Sequence, residues 1–305
     1  MPTTGLLRWV ADAVGGGATV VRVDGLRNGG APWRVRLERG GRVVDVVLRV
    51  GRRDGRGLLA TEAAALTLAQ QHGLAAPRLL DADLDGAVAG CPAVLMTALR
   101  GDSQIPAVAS PARLRTLGAA AAAIHAVPVA PCRHLPARER PLADVDFAAR
   151  RTVTGSSPLL DTAQRRLDEL PVPHHTSRFV HGDLWQGNTV WNGNTLVGLL
   201  DWDAAGVGQP GIDLGTLRND AAILFGPAAA DHILHGWQQI TGRTADDVPY
   251  WDIVAALTTS TDMARWLPVA REHGRGDLGA ITLNRRRDDF LHAALDQFGR
   301  TPTLP

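Results

Sequence analysis

A polar loop between two apolar segments carries the residues of this sequence that are best suited to chemistry. It reads His-Gly-Asp-Leu-Trp-Gln-Gly-Asn over residues 181–188, and Asp201 follows at the end of the next apolar run. The sequence Asn-Gly-Asn at 192–194 predicts a hairpin turn that brings the chain back towards the loop. Because hairpin strands lie about 5 Å apart, we expect Asn188 to be close to Asp201.

These residue types suit the transfer of a phosphoryl group. A divalent metal ion neutralises phosphate charge, and Mg²⁺ prefers oxygen ligands, which the Asn188 amide and the Asp201 carboxylate can supply. Asp183 can orient an acceptor hydroxyl group and take its proton. Asp, Asn and Gly are also ordinary turn residues, but the whole ordered set is far less expected by chance than any one of them.

The same residues carry a family resemblance. The segments 181–188 and 197–203 resemble the signature of the aminoglycoside phosphotransferase family, within the protein-kinase-like superfamily, and the segment 206–214 is also similar. The resemblance is strong over 178–215 and extends to the predicted strand and helix at 43–72. It implies an α+β, bilobal protein-kinase-like fold, with a small antiparallel β-sheet lobe and a larger, mostly helical lobe.

The resemblance implies a role for each residue that matches the family pattern. Asp183 would be the catalytic base. Asn188 and Asp201 would be the metal ligands, holding Mg²⁺ against the phosphates of ATP or GTP. His181 and Asp213 would give structural support to the catalytic loop.

In the small lobe, the resemblance implies a site for the nucleotide phosphates. Arg49 stands where the family has a strand lysine, and Glu62 stands where the family has its helix glutamate. Arginine can bind phosphate through two parallel N–H groups, although it is bulkier than lysine. The alternative is an ordinary exposed arginine on a strand.

Two further parts of the nucleotide site follow from the same resemblance. Gly29 and Gly30 would form the tip of a loop over the phosphates, where close backbone approach favours glycine, although an ordinary hairpin turn explains them equally well. Met96 and Ala98 would lie near the adenine and offer it backbone hydrogen bonds.

The acceptor is expected between the catalytic loop and the late helices. Asp203 is either a secondary metal or substrate contact or a plain surface carboxylate. Trp185 and Trp266 are candidates to line a substrate cleft. Asp220 and Asp262 could meet an amine-bearing substrate, but acidic residues are also common on surface helices.

The spacing after Asp201 bears on the kind of acceptor. Only the nine residues 202–210 separate Asp201 from Gly211, which leaves no long segment on which a peptide could lie. We therefore expect a small hydroxylated acceptor, in this family an aminoglycoside or another antibiotic. The alternatives are a metabolite kinase that acts on choline, homoserine or a sugar, and a pseudokinase that binds nucleotide without turnover.

Composition excludes some classes of protein. All 32 basic residues are arginine, so the phosphate-loop pattern that requires lysine is absent. Residues 1–150 hold 19 Arg and 13 acidic residues, whereas residues 151–305 hold 13 Arg and 18 acidic residues. A basic half suits phosphate and an acidic half suits a metal or a cationic substrate, although drift in surface charge gives the same pattern. The net charge of +1 argues against a nucleic-acid partner.

Other features point to a cytoplasmic protein. The start of the chain lacks a signal-peptide pattern, no apolar run reaches the ~18 residues of a membrane span, and the two cysteines lack metal-ligand spacing. We expect no membrane partner and a monomer or homodimer.

The chain is expected to divide into a nucleotide-binding lobe, 1–99, which ends in a hinge, and a helical lobe, 100–305, with the catalytic loop and substrate site. Strands are predicted within 18–50 and at 92–99. The predicted helices are 58–72, 111–127, 159–170, 213–224, 227–240, 248–267 and 278–298.

Overall fold

The structure is a computed structural model. It describes residues 1–27, 30–51, 56–143, 145–173, 176–245 and 247–300.

The small lobe is built on a five-stranded antiparallel sheet with strand order β1-β2-β3-β5-β4. Helix α1 precedes the sheet, and helix α2 connects β3 to β4. These elements are α1 (Thr4–Val14), β1 (Thr19–Arg27), β2 (Gly30–Arg39), β3 (Arg42–Val50), α2 (Arg56–Gln71), β4 (Leu79–Asp83) and β5 (Ala93–Thr97).

Alternation along β3 assigns its side chains to two faces. Val46 and Leu48 belong to the core that this sheet shares with α1, where they pack with Trp9. Because successive strand residues point to opposite faces, Val47 and Arg49 face the other way. Val47 packs against the second core, which joins α2 to the large lobe, and Arg49 points towards Asp201.

The large lobe is mostly helical, and it contains two small sheets. Strands β8 and β9 form a hairpin, and a three-stranded sheet has the order β6-β10-β7. Its elements are α3 (Pro111–His125), β6 (Ala137–Arg138), α4 (Phe147–Thr154), α5 (Pro158–Asp168), β7 (Arg178–Val180), β8 (Thr189–Asn192), β9 (Thr195–Leu199), β10 (Gly206–Gly208), α6 (Gly211–Phe225), α7 (Ala228–Thr241), α8 (Val248–Leu257), α9 (Leu267–Glu272) and α10 (Ala280–Arg300).

Helices α3 and α7 pack unusually closely because glycine stands at both contact points. A Cβ atom at Gly118 would overlap the backbone of Ile233, and one at Gly236 would overlap the backbone of Arg115. This close approach places the C-terminal end of α3 beside α7, so that His125 of α3 accepts a hydrogen bond from Trp237 of α7.

Most predicted helices agree with the structure to within a few residues, but the single helix predicted at 248–267 is wrong. Helix α8 ends at Leu257, where the hydroxyl groups of Thr258 and Thr259 donate back to backbone carbonyls. A new turn then starts at Asp262, whose carboxylate accepts from the N–H of Ala264. Helices α1 and α4 and strand β4 were not predicted.

None of the helices in the described part of the chain is both long enough and apolar enough to cross a membrane.

Candidate active site

The loop that follows β7 is closed by a contact between Asp183 and Asn188, which lie five positions apart. The side-chain Nδ2 of Asn188 donates to the backbone oxygen of Asp183 at 2.9 Å and to its carboxylate at 3.1 Å. The side-chain nitrogen of Asn188 is used by these bonds to Asp183, so the Oδ1 atom of Asn188 is left to bind a cation. We call residues 181–188 the catalytic loop.

The predicted hairpin is confirmed, and it returns the chain to this loop. Thr189 at the start of β8 pairs with Leu199 near the end of β9, and the N–H of Leu200 donates to the backbone oxygen of Asn188 at 2.8 Å. The next residue, Asp201, has a φ of 65°, in the left-handed region that a non-glycine residue rarely adopts. Such conformations cost about 1–3 kcal/mol and are found preferentially at functional sites.

Two arginines of the small lobe bind the acidic residues after this hairpin. One guanidinium nitrogen of Arg49, Nη1, donates to Glu62 at 2.6 Å and to Asp201 at 2.5 Å, and Nη2 donates to Asp203 at 2.8 Å. Arg27 donates to the second oxygen of Asp201 at 3.0 Å. We call these five residues the carboxylate clamp.

Burial and charge oppose each other within the clamp. Glu62 is only 1% exposed, and burial raises its pKa to about 7 although Arg49 pulls it down. Burial would also raise the pKa of Asp201, but the positive charges of Arg49 and Arg27 outweigh burial and hold that pKa below its usual range. Burial and the neighbouring Asp201 raise the pKa of Asp203. When all are ionised, three carboxylates face two guanidinium groups, which favours a cation.

Asp183 stands next to the clamp. Burial, followed by the nearby charge of Asp201, raises the pKa of Asp183 to about 7, although the amide of Asn188 lowers it. A carboxyl group with a pKa near the working pH is well placed to accept and release a proton.

The catalytic loop is held from below by a second network. Asp213, fully buried near the start of α6, accepts from the backbone N–H groups of His181 and Gly182, both at 2.8 Å. The same carboxylate contacts Nε2 of His125 at 3.1 Å. Nδ1 of His125 accepts from the indole N–H of Trp237 at 3.0 Å, so the histidine proton lies on Nε2 and is donated to Asp213. We call Asp213, His125 and Trp237 the loop anchor.

The ring of His181 lies below the loop. Its Nε2 is 2.9 Å from the backbone oxygen of Leu200, and its ring packs on Trp202 at a centroid distance of 4.4 Å. Burial lowers the pKa of His181, and Nδ1 has no hydrogen-bond partner within the part of the chain that the structure describes. A neutral ring in this place orients backbone.

The acidic candidates for the acceptor site differ in position. Asp220 is buried, and its carboxylate accepts from the N–H and the side-chain amide of Gln186 at 3.0 and 3.2 Å. Burial raises the pKa of Asp220 to about 7. The structure therefore places Asp220 beneath the catalytic loop, facing Gln186. Asp262 is exposed and caps the turn at Ala264.

The aromatic candidates lie together. Trp185 makes an edge contact with Trp266 at a centroid distance of 6.0 Å, and another with His273 at 5.1 Å. All three are half-buried, and Trp185 is two residues from Asp183. They form an aromatic wall beside the loop.

The remaining nucleotide candidates are spread along the sheet. Gly29 lies outside the described residues, and Gly30 begins β2. Met96 is buried within β5, and the N–H of Ala98 donates to the backbone oxygen of Asp45 at 3.3 Å.

Sequence reasoning missed four residues that hold the site together: Arg27 in the clamp, His125 and Trp237 in the loop anchor, and Gln186, which binds Asp220. Nothing distinguishes Arg27 among 32 arginines, and neither His125 nor Trp237 belongs to a motif. Gln186 lies inside the recognised loop, but the family pattern leaves its position free.

Comparison with known proteins finds a family to which this chain is similar. The model of the APH phosphotransferase enzyme family matches residues 25–257. Viomycin phosphotransferase from Streptomyces vinaceus is 39% identical over 62 residues, which cover 19% of this chain and 22% of the relative. This match therefore spans about a fifth of the relative's length.

Solved structures show the same fold. The macrolide 2'-phosphotransferase from Brachybacterium faecium superposes with a TM-score of 0.61 at 20% identity, over 92% of this chain and 98% of that one. A thermostable mutant of an aminoglycoside phosphotransferase, solved as a ternary complex with ADP and hygromycin B, gives a TM-score of 0.56 at 13% identity, over 98% and 100% of the two chains. These likenesses confirm the predicted bilobal α+β fold.

Proposed function

This chain belongs to the phosphotransferase enzyme family, and we propose that it transfers the γ-phosphate of ATP or GTP to a hydroxyl group of a small molecule. Asp183 acts as the catalytic base, and Asn188 and Asp201 hold Mg²⁺. The observation that carries the proposal is that Asp183, Asn188 and the carboxylate clamp meet in one place, although they come from both lobes.

The donor set fits a magnesium ion. The Asn188 amide oxygen and the Asp201 carboxylate are hard oxygen ligands, and Mg²⁺ is commonly held by one or two such groups together with nucleotide phosphates. Among the described residues, no three His, Cys, Asp or Glu side chains come together as a metal site, so the proposed ion would need nucleotide phosphates as further ligands. The ion, when bound, neutralises charge on the phosphates.

Arg49 and Arg27 would exchange partners when the nucleotide binds. Both guanidinium groups now occupy oxygens of Asp201, the carboxylate assigned to the metal. Phosphate oxygens offer the same charge and can accept two parallel N–H groups from one arginine. Arg49 can keep its bond to the buried Glu62 while its other donors turn to phosphate.

The remaining candidates have supporting roles. Asp183 accepts the proton of the acceptor hydroxyl, and its raised pKa favours that step. His181 and Asp213 keep the loop in position. Gly30 lies at the phosphate end and Met96 near the adenine. The N–H of Ala98 is already donated to Asp45, so an adenine contact there uses the carbonyl oxygen or replaces that bond.

The aromatic wall supports a small acceptor bound beside Asp183. Viomycin, a macrolide and hygromycin B appear in the names of the relatives, so a hydroxylated antibiotic is the first acceptor to test. Trp185 and Trp266 would contact it, Asp262 would meet an amine at the rim, and Asp203 would contact the metal or the acceptor. We place the protein in the cytoplasm, where nucleotides are available, as a monomer or homodimer.

A pseudokinase is favoured by one observation, namely that two arginines occupy Asp201. The rate at which the protein hydrolyses Mg-ATP or Mg-GTP distinguishes an active phosphotransferase from a pseudokinase. We expect Asp183→Asn to lower turnover by about 10²–10⁴-fold, the usual contribution of a general base. Asp161→Asn, an exposed change on α5, is the control and should retain full turnover. Equal turnover in wild type and Asp183→Asn would contradict catalysis by Asp183.

The acceptor is identified by ADP release in a screen of hydroxylated antibiotics against amino alcohols and sugars. Stimulation by an antibiotic alone indicates a resistance enzyme, and stimulation by an amino alcohol or sugar indicates a metabolite kinase. Failure of every acceptor, together with the absence of basal hydrolysis, would support the pseudokinase.

A further inference from the structure

Arg27 links the first hairpin of the small lobe to the large lobe. It is the last residue of β1, its register partner is Gly30 at the start of β2, and its Nη2 donates to Oδ2 of Asp201 at 3.0 Å. The pairing of β1 with β2 shifts register between Gly25 and Arg27. Irregularities of this kind re-aim side chains at the ends of strands, and the side chain at this one reaches across the cleft between the lobes.

The two arginines that bind Asp201 are held in different ways. Arg49 also donates to the buried Glu62 at 2.6 Å, so its release would leave a buried carboxylate without its counter-ion. The side chain of Arg27 is 60% exposed, and Asp201 is its one hydrogen-bond partner among the residues that the structure describes. Breaking an exposed ion pair costs little, because water solvates the released guanidinium group. Arg27 is therefore the member of the clamp that exchanges most easily.

Both carboxylate oxygens of Asp201 are occupied while Arg27 stays in place. Oδ1 accepts from Arg49, and Oδ2 accepts from Arg27. A guanidinium group on Oδ2 fills a position from which a cation would bind that oxygen, and its positive charge repels a divalent ion. Asp201 is a metal ligand under the proposed function, so Arg27 and the ion compete for the same oxygen.

We propose that Arg27 is an exchangeable counter-ion that keeps a divalent metal ion off Asp201 until a nucleotide binds. Arg27 then moves from Asp201 to a phosphate group, which carries the same kind of charge and accepts the same N–H groups, and Oδ2 becomes free. Metal binding at Asp201 thereby depends on nucleotide binding. This inference rests on the proposed function, because it needs a nucleotide in the cleft and a metal ion at Asp201. It also accounts for the occupied Asp201 without a pseudokinase.

Removal of Arg27 should change two affinities in opposite directions. The nucleotide-free protein should bind a divalent ion more tightly, because the competing group and its positive charge have left Oδ2 of Asp201. The same variant should bind nucleotide more weakly, because one phosphate contact is lost. General damage to the cleft would weaken both affinities. Opposite signs therefore distinguish an exchangeable counter-ion from a residue that only supports the structure.

The test measures binding to the full chain with two probes. Mn²⁺ alone is the first probe, because it accepts the same oxygen ligands as Mg²⁺ and the free ion is measured by electron paramagnetic resonance. We expect Arg27→Ala to bind Mn²⁺ about fivefold more tightly than the wild type. The second probe is AMP-PNP with excess Mg²⁺, measured by isothermal titration calorimetry. We expect Arg27→Ala to bind it about tenfold more weakly.

Arg22→Ala is the matched control. Arg22 lies in the same strand, its side chain is 65% exposed, and it binds a single carboxylate, that of Asp24. The substitution removes the same charge and the same kind of exposed ion pair, but outside the clamp. Both affinities should stay within about twofold of the wild type. Melting temperatures show that each variant is folded, and Arg27→Gln provides a second variant that removes the charge and keeps a polar side chain.

Three results would overturn the proposal. Mn²⁺ affinity that fails to rise in Arg27→Ala shows that Arg27 does not keep metal off Asp201. AMP-PNP affinity that fails to fall shows that Arg27 does not move to phosphate. Equal changes in Arg22→Ala assign the effect to net charge. Failure of the proposed function looks different, because the wild type itself would then bind no AMP-PNP, while the Mn²⁺ comparison would still report on Arg27 and Asp201.

Discussion

Two networks position the proposed catalytic residues, and they are built from opposite chemistry. The carboxylate clamp connects the small lobe to Asp201 through ion pairs, and apart from the buried Glu62 its side chains are partly open to solvent, 22% for Arg49 and 17% for Asp201. The loop anchor connects the large lobe to the backbone of the catalytic loop through fully buried hydrogen bonds from Asp213. Under the proposed function, the first network lies where the nucleotide phosphates would bind, and the second lies beneath the catalytic loop.

The difference suggests a division between exchangeable and permanent contacts. Nucleotide phosphates offer Arg49 and Arg27 the same charge as the carboxylates that they bind here, so these ion pairs can be exchanged for phosphate contacts at small cost. A buried carboxylate with three donors cannot lose one cheaply, because each unsatisfied buried group costs about 1–3 kcal/mol. We therefore expect damage to the clamp to change nucleotide binding and damage to the anchor to change stability.

The largest effect is expected from Asp213→Asn. The asparagine amide brings an N–H group against donors from His181, Gly182 and His125, so at least one buried bond is lost and one repulsive contact appears. We expect a loss of about 2–5 kcal/mol in the free energy of unfolding, measured by denaturant titration.

The control for Asp213→Asn is Asp203→Asn, the same chemical change in the clamp, which should cost less than about 1 kcal/mol. Equal losses in the two variants would mean that the networks do not differ in the way proposed.

The next effect is a pH dependence from Asp220, which supports the loop through Gln186. Burial raises its pKa to about 7, from the value of about 4 that is usual for an aspartate. Between these values the folded protein holds a proton that the unfolded chain has released, so Asp220 makes the wild type less stable as pH rises through this window. The swing is on the order of 2–4 kcal/mol, since one pKa unit corresponds to about 1.4 kcal/mol.

Asp220→Asn removes that titration. The melting temperature of the variant relative to wild type should therefore rise between pH 4 and pH 7 and level off above pH 7. A difference that stays constant over the whole range would show that Asp220 keeps an ordinary pKa. The group that accepts from Gln186 would then be an ionised carboxylate.

The two networks also differ in how far the sequence could predict them. The hairpin follows from Asn192-Gly193-Asn194 because the turn type is a local property, and the bilobal fold follows from the motif at 181–188 together with strands at 18–50. The position of Arg49 opposite Glu62 was predicted through the family pattern, and the structure brings the two together. Their functional roles stay predictions.

The anchor was only half predictable. Asp213 belongs to the motif, but its partners His125 and Trp237 come from helices that meet only through the close packing of α3 on α7. Such a contact depends on tertiary packing, which leaves no local pattern in the sequence. The break after Leu257 is different, because the five polar residues 258–262 are a local signal for the end of a helix, and the prediction of a single helix at 248–267 passed over it.

The clamp is tested by Arg49→Ala, which removes the donors shared by Glu62, Asp201 and Asp203. We expect the KM for Mg-nucleotide to rise tenfold or more, a loss of about 1.4 kcal/mol or more in binding. Arg49→Lys keeps the positive charge but loses the paired N–H groups, so its KM should lie between that of the wild type and that of Arg49→Ala. An unchanged KM in Arg49→Ala would remove Arg49 from the nucleotide site.

The smallest effect is expected from removing a single indole N–H group, that of Trp237 in the large lobe or that of Trp33 in the small lobe. Trp237→Phe removes the bond to Nδ1 of His125 and should cost about 1 kcal/mol beyond the loss of ring area. Trp33→Phe is the matched control, because the indole N–H of Trp33 is buried and has no hydrogen-bond partner among the described residues. Removing that group should cost clearly less, since no bond is lost and an unpaired polar group leaves the interior. Denaturant unfolding of both variants measures the difference, and a larger loss in Trp33→Phe would mean that the anchor does not extend to Trp237.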